Sequence, residues 1–404
     1  MELKDYVEWK EQQMINVATQ RAYTTSQTRD MYFRNDADID YARVLYSSAC
    51  RRLQGKMQLF IPRENSFYRN RLTHSLEVSQ IARSLAKKIG LKDILTVQTC
   101  SMAHDTGNPP FGHAGEKFLS SCSSTSSYEG NAQTFRVLTH LEEKHYDYNG
   151  LNLTIRTLLG VVKYFHNQQE NPKKFLYDKD FETVSNWVKE HNINMRTIDC
   201  EVMDIADEIA YAAHDLEDSL KNKYFSIGEL LYEFQVSKYK NVYEKFASIV
   251  KQARDFANNS TAYKSSEEYS ILFRKELTSI IVNSLIMDVD LVEGPSGSEL
   301  GYKELSNLAR GLKSLTFTAI KRNPEIIEYE LIGKHVLTNL YTVYMDNTFN
   351  KDLVLLPAEY RDTDDWERTV IDYIGGMMDS YAISQYEKYF GKLKDTGIYK
   401  HPVT

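Results

Sequence analysis

The sequence predicts an all-α protein, and three observations support that prediction. Proline and glycine are scarce, with 8 Pro and 18 Gly in 404 residues, whereas folds built from strands and turns usually need more of both. Apolar residues recur at intervals of three and four along several segments, which is the spacing of one helix face. No alternating polar and apolar pattern is long enough to indicate a sheet. We therefore expect one mostly helical unit.

The clearest predicted helix covers residues 72–89. Its apolar residues from Val78 to Ile89 recur on a single face. Counting back along that face reaches His74 and then Arg71, so both side chains should point inward at the start of the helix. A second helix is predicted over 93–106, with Asp93 as its N-cap.

The rest of the chain is assigned by the same patterns. A Gly-Asn-Pro-Pro breaker at 107–110 ends the second helix, and polar segments separate the later helices. A serine-rich run is expected to form a loop. The expected helical segments are 1–30 (with a loose end), 151–166, 197–221 and 222–404, and the expected connectors are 120–127 and 293–299.

Composition narrows the function classes. The formal net charge is −7, whereas proteins that bind polyanions are more often basic, so any phosphate must be bound by locally placed Arg and Lys. The four cysteines form no CxxC pair, which argues against zinc-ribbon and redox motifs and fits a reducing compartment. No signal peptide or membrane span is apparent, so we expect a cytoplasmic protein.

Two segments carry the residues of a possible metal site. His104 and Asp105 adjoin at the end of the second helix, where both can reach an ion that lies beside the helix end. Asp207 lies in an apolar helical segment, in one stripe with Tyr211 and Asp215 at intervals of four. A lone histidine is more often an ordinary core residue, and the stripe could be a solvated acidic face. The combination favours a metal site, since a buried carboxylate needs a partner.

The types of residue in this set indicate the kind of metal and the chemistry. A mixture of imidazole and carboxylate suits Mn²⁺, Mg²⁺, Fe²⁺, Co²⁺ or Ni²⁺ with open water positions, whereas structural zinc sites prefer closed Cys and His coordination. An open position permits hydrolysis. His113 and Glu116 lie three residues apart at the start of the next predicted helix, so they share a face. An imidazole and a carboxylate together can move protons near neutral pH.

Several blocks of the sequence together resemble the deoxyguanosine triphosphate triphosphohydrolases of the HD superfamily. The most specific are RNRLTHSLEV (69–78), AHDTGNPPFGHAGE (103–116), EGNAQTFRVL (129–138) and MDIADEIAYAAHDLED (203–218). The segments 43–60, 158–164 and 372–386 are also similar, and all occur in the order of the family. The resemblance implies a helical HD fold that hydrolyses dGTP, or another dNTP, to a deoxynucleoside and inorganic triphosphate.

The resemblance also assigns residues by motif. It implies a divalent metal, Mn²⁺ or Mg²⁺ first, with Fe²⁺, Co²⁺ or Ni²⁺ as alternatives, held by His74, His104, Asp105 and Asp207. It makes His113 and Glu116 the catalytic pair. The substrate contacts it implies are Arg71 at the α-phosphate, Gln58 and Asp215 at the sugar 3′-hydroxyl, Tyr211 against the sugar, and Asn131, Lys163, Tyr164 and Lys174 at the triphosphate.

The same resemblance divides the chain and suggests its partners. It implies an N-terminal helical segment (1–40), an HD catalytic core (41–225) and a C-terminal helical region (226–404) that packs on the core and contributes to the pocket and to an oligomer interface. A homo-oligomer, often a hexamer, is expected, and single-stranded DNA or an allosteric nucleotide are further possible partners.

Departures from the family and rival functions stay open. Asn108 stands where some members carry His, and Ser380 stands where many carry Arg. Base recognition is left to the loosely matching segment 324–346. The rival functions are an HD nucleotidase or phosphodiesterase acting on other nucleotides, and a regulator that senses nucleotides without turnover.

Overall fold

The computed structural model confirms the predicted all-α class. It describes residues 1–23, 33–59, 69–123, 127–259, 265–294 and 297–393. The helices of the described residues are α1 (Leu3–Met14), α2 (Asp36–Leu45), α3 (Ser48–Arg52), α4 (Arg71–Ile89), α5 (Ile94–Ala103), α6 (Gly112–Leu119), α7 (Gly130–Arg136), α8 (Ile155–Gly160), α9 (Asp178–His191), α10 (Ile198–Lys221), α11 (Ile227–Val236), α12 (Tyr243–Asn258), α13 (Ser266–Asp288), α14 (Ser306–Ile320), α15 (Pro324–Met345), α16 (Trp366–Gly375) and α17 (Asp379–Phe390). The strands are β1 (Val289–Gly294) and β2 (Gly297–Tyr302).

Local sequence signals define the ends of α4 and α5. Helix α4 starts with a capping box, in which the Asn70 side chain accepts from the backbone N–H of Thr73 and the Thr73 side chain accepts from that of Asn70. It ends at Gly90, whose φ of 79° suits glycine. Asp93 caps α5 as predicted, accepting from the backbone N–H of Thr96. Both helices therefore start within a residue or so of their predicted positions.

Helix α10 is the central element of the fold. It is 24 residues long and packs against α4, α5, α13 and α14. Its side chains enter both hydrophobic clusters of the protein: Val202 and Ile209 belong to the larger one, and Met203 belongs to the smaller. Burial on two sides fixes the rotation of α10 about its axis, which in turn fixes the direction of its polar stripe.

A small two-stranded sheet replaces part of the helical region expected over 222–404, and the expected connector at 293–299 was wrong. Of the expected connector 293–299, the described residues 293, 294 and 297–299 belong to the antiparallel strands β1 and β2, with Val289 opposite Tyr302 and Leu291 opposite Leu300. Each strand has six residues and is only partly buried, so its sequence pattern is too short and too mixed to be recognised. The hairpin is attached by distant groups, including Glu201 of α10, which accepts from the backbone N–H of Leu300 at 3.0 Å.

Two predicted helices are shorter in the structure. The expected helix over 151–166 is reduced to α8, because Thr154 caps it at its start and the chain leaves the helix after Gly160. The expected helix over 1–30 is α1 alone, and residues 24–30 lie outside the described residues. The expected loop at 120–127 also lies partly outside them, at 124–126. No helix among the described residues combines the length and apolar character that crossing a bilayer requires.

A buried ion pair joins α8 to α10. Arg156 donates to Asp199 through two hydrogen bonds of 3.0 Å, from Nε and Nη2, and both side chains are buried. Because removing one partner leaves a buried charge uncompensated, we expect Arg156→Met to lower the free energy of unfolding by about 3–5 kcal/mol. Exposed Arg83 of α4 provides the control, since Arg83→Met should change stability by no more than about 0.5 kcal/mol. Urea denaturation measures both, and equal stability of the two variants would contradict the expectation.

Candidate metal centre and its pocket

The four predicted metal ligands lie close together in the interior of the protein. His74 comes from the first turns of α4, His104 and Asp105 directly follow α5, and Asp207 lies in the middle of α10. Single ligand atoms of His74, His104 and Asp105 lie within 4.8 Å of one another. Asp207 Oδ1 lies 3.0 Å from His74 Nε2 and 3.4 Å from His104 Nε2. The structure therefore brings together the residues that the sequence nominated as a metal site.

The state of His104 fits a metal ligand. Its Nδ1 lies 2.6 Å from the carbonyl oxygen of Ser101, and because a carbonyl can only accept, Nδ1 carries a proton. The other nitrogen, Nε2, is buried without a hydrogen-bond partner among the described residues and lies 3.4 Å from an oxygen of both Asp105 and Asp207. An unpaired buried nitrogen between two carboxylates is what a divalent ion with imidazole and oxygen ligands requires.

Each carboxylate of the cluster divides its two oxygens between a histidine and a cation. Asp105 turns Oδ1 towards His104 and receives Arg71 Nη1 on Oδ2 at 2.7 Å. Asp207 turns Oδ1 towards both histidines and receives Lys163 Nζ on Oδ2 at 2.7 Å. These cations offset the cost of burying two anions close together.

The pKa shifts follow from this arrangement. Burial would raise the pKa of Asp105, but His104 and Arg71 outweigh it and hold the pKa at about 2. Burial likewise opposes ionisation of Asp207, but Lys163 and His104 hold its pKa well below the ordinary value. Both groups are therefore carboxylates at neutral pH, with electron pairs available to a cation.

Helix α6 forms the second wall of the site. Its His113 Nδ1 lies 3.6 Å from Glu116 Oε2, and the His113 side chain is 75% exposed. Glu116 is fixed by the backbone N–H of Gly130, which donates to its Oε1 at 3.0 Å. Burial would raise the pKa of Glu116, but the contacts with His113 and Gly130 lower it. His113 is thus a solvent-facing imidazole beside an oriented carboxylate and not a buried structural residue.

A single cavity of about 1110 Å³ adjoins both walls. Asp105 and Asp207 of the cluster line it, and so do His113 and Glu116 of α6. All the residues predicted to bind substrate also line it, namely Gln58, Arg71, Asn131, Lys163, Tyr164, Lys174, Tyr211 and Asp215. Their placement is what the predicted roles need, and the roles themselves stay predictions.

Two polar side chains of this lining are in unusual states. Gln58 is 8% exposed, and neither its amide nitrogen nor its amide oxygen has a partner among the described residues. Burial, together with the neighbouring Asp218 carboxylate, outweighs Arg69 and raises the pKa of Asp215 to about 8. Asp215 is therefore a neutral carboxyl at pH 7, able to donate as well as accept. An unpaired amide and a neutral carboxyl suit a hydroxyl group of a ligand.

The cations of the pocket are held by acidic neighbours. Lys163 has a side chain only 9% exposed, and its Nζ lies 2.7 Å from Asp207 Oδ2 and 3.3 Å from Asp204 Oδ1. Lys174 Nζ lies 2.6 Å from Glu129 Oε1, which also accepts from Asn131 Nδ2 at 2.7 Å. Asn108, at the position where some relatives carry His, donates to Asp105 Oδ1 at 2.6 Å. This asparagine therefore helps to orient a predicted ligand.

Some residues of the pocket were not found from the sequence. Lys313 of α14 lies with Nζ 4.4 Å from the centre of the Tyr211 ring, and Arg310 of the same helix also lines the cavity. Nothing in the spacing of these residues separates them from ordinary surface cations. From the segment 324–346, Ile326 and Glu330 line the cavity, whereas Ser380 is exposed at the start of α17.

Comparison with known proteins agrees with this geometry. The model of the HD domain matches residues 71–212, and the model of the phosphohydrolase-associated domain matches residues 302–388. The first match contains all four predicted ligands. The second covers α14, α15 and most of the last two helices.

Similar proteins extend over nearly the whole chain. A deoxyguanosinetriphosphate triphosphohydrolase-like protein 2 from Vibrio cholerae is 52% identical over 363 residues, which is 89% of each chain. Deoxyguanosinetriphosphate triphosphohydrolase-like proteins from Rickettsia conorii and Geobacter sulfurreducens are 34% and 32% identical, covering 88% and 89% of this chain and 91% and 90% of their own. The chain belongs to the deoxyguanosinetriphosphate triphosphohydrolase-like family of HD-domain phosphohydrolases.

Proposed function

We propose that this protein hydrolyses deoxynucleoside triphosphates, with dGTP as the first candidate, to the deoxynucleoside and inorganic triphosphate. The observation that carries the proposal is the single cavity that joins the His and Asp cluster, the His113 and Glu116 pair and several cations. Cleavage of one anionic ester needs a polarising centre, a group that moves protons and a binding surface for phosphates. The names of the relatives point to the same reaction.

The cluster would hold a divalent metal through His74, His104, Asp105 and Asp207. Such an ion, when bound, lowers the pKa of a coordinated water and polarises a phosphoryl oxygen. The mixture of nitrogen and oxygen ligands favours Mn²⁺ or Mg²⁺, with Fe²⁺, Co²⁺ or Ni²⁺ as alternatives.

The chain's own residues would bind and orient the triphosphate. Arg71 and Lys163 are already beside the cluster, each paired with one of its carboxylates, so both lie within reach of an anion bound there. Lys174 lies further along the same cavity, with Tyr164 beneath its ammonium group at 5.2 Å. These three placed cations are the local Arg and Lys residues that phosphate binding by an acidic protein requires.

His113 and Glu116 would move the protons of the reaction. Glu116 lies close enough to His113 Nδ1 to orient the ring, and contacts of this kind commonly tighten when substrate binds. In this assignment His113 exchanges a proton with the attacking water or with the departing sugar oxygen.

The sugar would lie against Tyr211. This ring is fixed between the His74 ring, 5.0 Å away, and the Lys313 ammonium group. Contacts with both groups restrain the ring, so a 2′-hydroxyl directed at it would be excluded by contact. Gln58 and Asp215 would take the 3′-hydroxyl.

A nucleotidase or phosphodiesterase could use the same ligands. The cations beyond the cluster, Arg71, Lys163 and Lys174, favour a longer phosphate chain than those enzymes require. Homo-oligomerisation, and binding of single-stranded DNA or an allosteric nucleotide, stay predictions.

The reaction products test the proposal directly. With Mn²⁺ and a panel of dNTPs and NTPs, we expect dGTP to yield deoxyguanosine and triphosphate, because the attack takes place at the α-phosphorus. Ion-exchange chromatography separates these products from nucleotides. Formation of dGMP and pyrophosphate, or equal turnover of GTP, would contradict the proposal.

Asp207 tests the metal assignment. We expect Asp207→Asn to abolish the thermal stabilisation that Mn²⁺ confers and to lower turnover by more than about 100-fold, since losing even a hydrogen-bond partner behind a ligand costs about 10- to 100-fold. Glu217→Gln on the same helix is the control, and it should keep both properties. Metal content by mass spectrometry completes the comparison, and full metal occupancy in Asp207→Asn would remove Asp207 from the ligand set.

Asp215 tests the neutral carboxyl. Its folded pKa of about 8 exceeds the unfolded value of about 3.9, so the stability that its proton contributes is complete below pH 4 and is lost as the pH rises towards 8. We therefore expect Asp215→Asn, which cannot ionise, to gain stability relative to the unmutated protein between pH 5 and pH 8. Urea denaturation across this range in the absence of metal measures the difference, and a difference independent of pH would refute a neutral Asp215.

A further inference from the structure

The turn that leads into α6 contains a strained residue. Phe111 has φ 61° and ψ 22° and is 1% exposed. The left-handed region is unfavourable for a bulky side chain, and such residues persist only when their surroundings determine the conformation. Phe111 directly precedes α6, which carries His113 and Glu116. Whatever holds Phe111 therefore sets the position of the predicted catalytic pair.

Three residues of the C-terminal region hold Phe111, and we call them the Phe111 socket: Tyr329, Gly333 and Asp379. The Phe111 backbone N–H donates to Asp379 Oδ1 at 3.0 Å. The Phe111 ring lies 5.5 Å from the Tyr329 ring. A Cβ atom on Gly333 would lie 2.6 Å from Phe111 Cγ, so only glycine leaves room for the ring.

Asp379 also holds a second segment of the pocket lining, which contains Met57 and Gln58. Its second oxygen, Oδ2, accepts from the backbone N–H of Met57 at 3.1 Å and from the Tyr329 hydroxyl at 3.0 Å. Met57 precedes Gln58 and forms a β-bridge with Asn70, the cap of α4. One fully buried carboxylate thus joins the start of α6 to the segment that carries Gln58 and leads into α4.

The neighbouring Lys56 reinforces this connection. Its buried ammonium group donates to the carbonyl of Asn108 and, at 2.9 Å, to the carbonyl of Gly375. Asn108 lies at the other end of the turn that Phe111 closes. The junction of α16 and α17 therefore holds the turn at both ends.

We propose that Asp379 is a positioning residue. By holding Phe111 in its socket, it sets the position of His113 and Glu116 relative to Gln58 and Arg71. Asp379 has no exposed surface, and the cavity is lined instead by residues it holds, Met57 and Phe111. Its effect on turnover therefore passes through other groups. The inference rests on the proposed function, because the residues that Asp379 positions are the ones to which that function gives roles in the reaction.

The variant Asp379→Asn tests the proposal with little change in volume. The asparagine amide has only one oxygen that can accept. Its NH₂ group must therefore face at least one of the three groups that now donate hydrogen bonds to Asp379. Because a misplacement of about 1 Å can cost about 100-fold in rate, we expect kcat to fall by about 10- to 100-fold, with KM and Mn²⁺ affinity changed by less than about 3-fold.

A matched control separates positioning from loss of stability. Asn350 is fully buried in the same C-terminal region, where it donates to the Tyr344 carbonyl at 2.7 Å and accepts from the backbone N–H of Leu355 at 2.8 Å. Asn350→Ala should lower the melting temperature at least as much as Asp379→Asn, yet leave kcat unchanged below the unfolding transition.

A double-mutant cycle with His113→Ala decides the mechanism. If Asp379 acts through α6, Asp379→Asn should cost less than about 3-fold in the His113→Ala background, because the group it positions is gone. Equal costs in both backgrounds, or a matching loss of kcat in Asn350→Ala, would overturn the proposal.

Hydrogen exchange supplies a readout that does not depend on turnover. Asp379→Asn should speed amide exchange at Phe111 and in the first turn of α6, while Asn350→Ala should leave both unchanged. If the unmutated protein fails to release triphosphate, the proposed function fails, and this measurement still decides whether Asp379 positions the turn. Unchanged exchange at Phe111 in Asp379→Asn would overturn the positioning.

Discussion

The structure depends on one buried carboxylate, Asp207, in the middle of its longest helix. Removing a carboxylate from water is costly unless opposite charge and hydrogen bonds replace the solvent. Here two histidines and Lys163 surround it, each supplied by a different part of the chain. Packing of α10 between both hydrophobic clusters fixes where this group points. The arrangement of the site thus follows from the need to pair this buried charge.

The same constraint arranges the charges around the cluster. Asp105 and Asp207 would repel each other if left unpaired, so each holds a cation on the oxygen that faces away from the histidines. Arg71 and Lys163 therefore serve two purposes in the proposed reaction. They keep the anions ionised in the absence of a ligand, and in the proposed function they would contact the bound phosphate. An acidic protein can thus place individual cations where a phosphate would bind.

The C-terminal helices complete a site whose ligands all come from earlier in the chain. Helix α14 places Lys313 over Tyr211, and α15 supplies cavity-lining residues. The start of α17 holds Met57 and Phe111 of the lining through Asp379. The two matched family models divide these residues in the same way. The HD-domain match contains the four predicted ligands, and the phosphohydrolase-associated match contains Lys313 and Asp379. The strained Phe111 lies at the contact between them.

The sequence by itself determined the helical class, the caps of α4 and α5 and the residues of the cluster. These follow from local spacing, from capping residues and from motifs in which neighbouring residues share one site, so a short segment contains the whole signal. His104, Asp105, His113 and Glu116, for example, all lie within 14 residues.

Only the tertiary structure decided which groups hold that site in place. The hairpin depends on Glu201, about a hundred residues away, and Phe111 depends on Asp379, which is 268 residues distant. The burial of Lys163, the neutral Asp215 and the position of Lys313 likewise depend on neighbours that are remote in the chain. Contacts of this kind arise from the packing of whole helices, and no local pattern of residues encodes them.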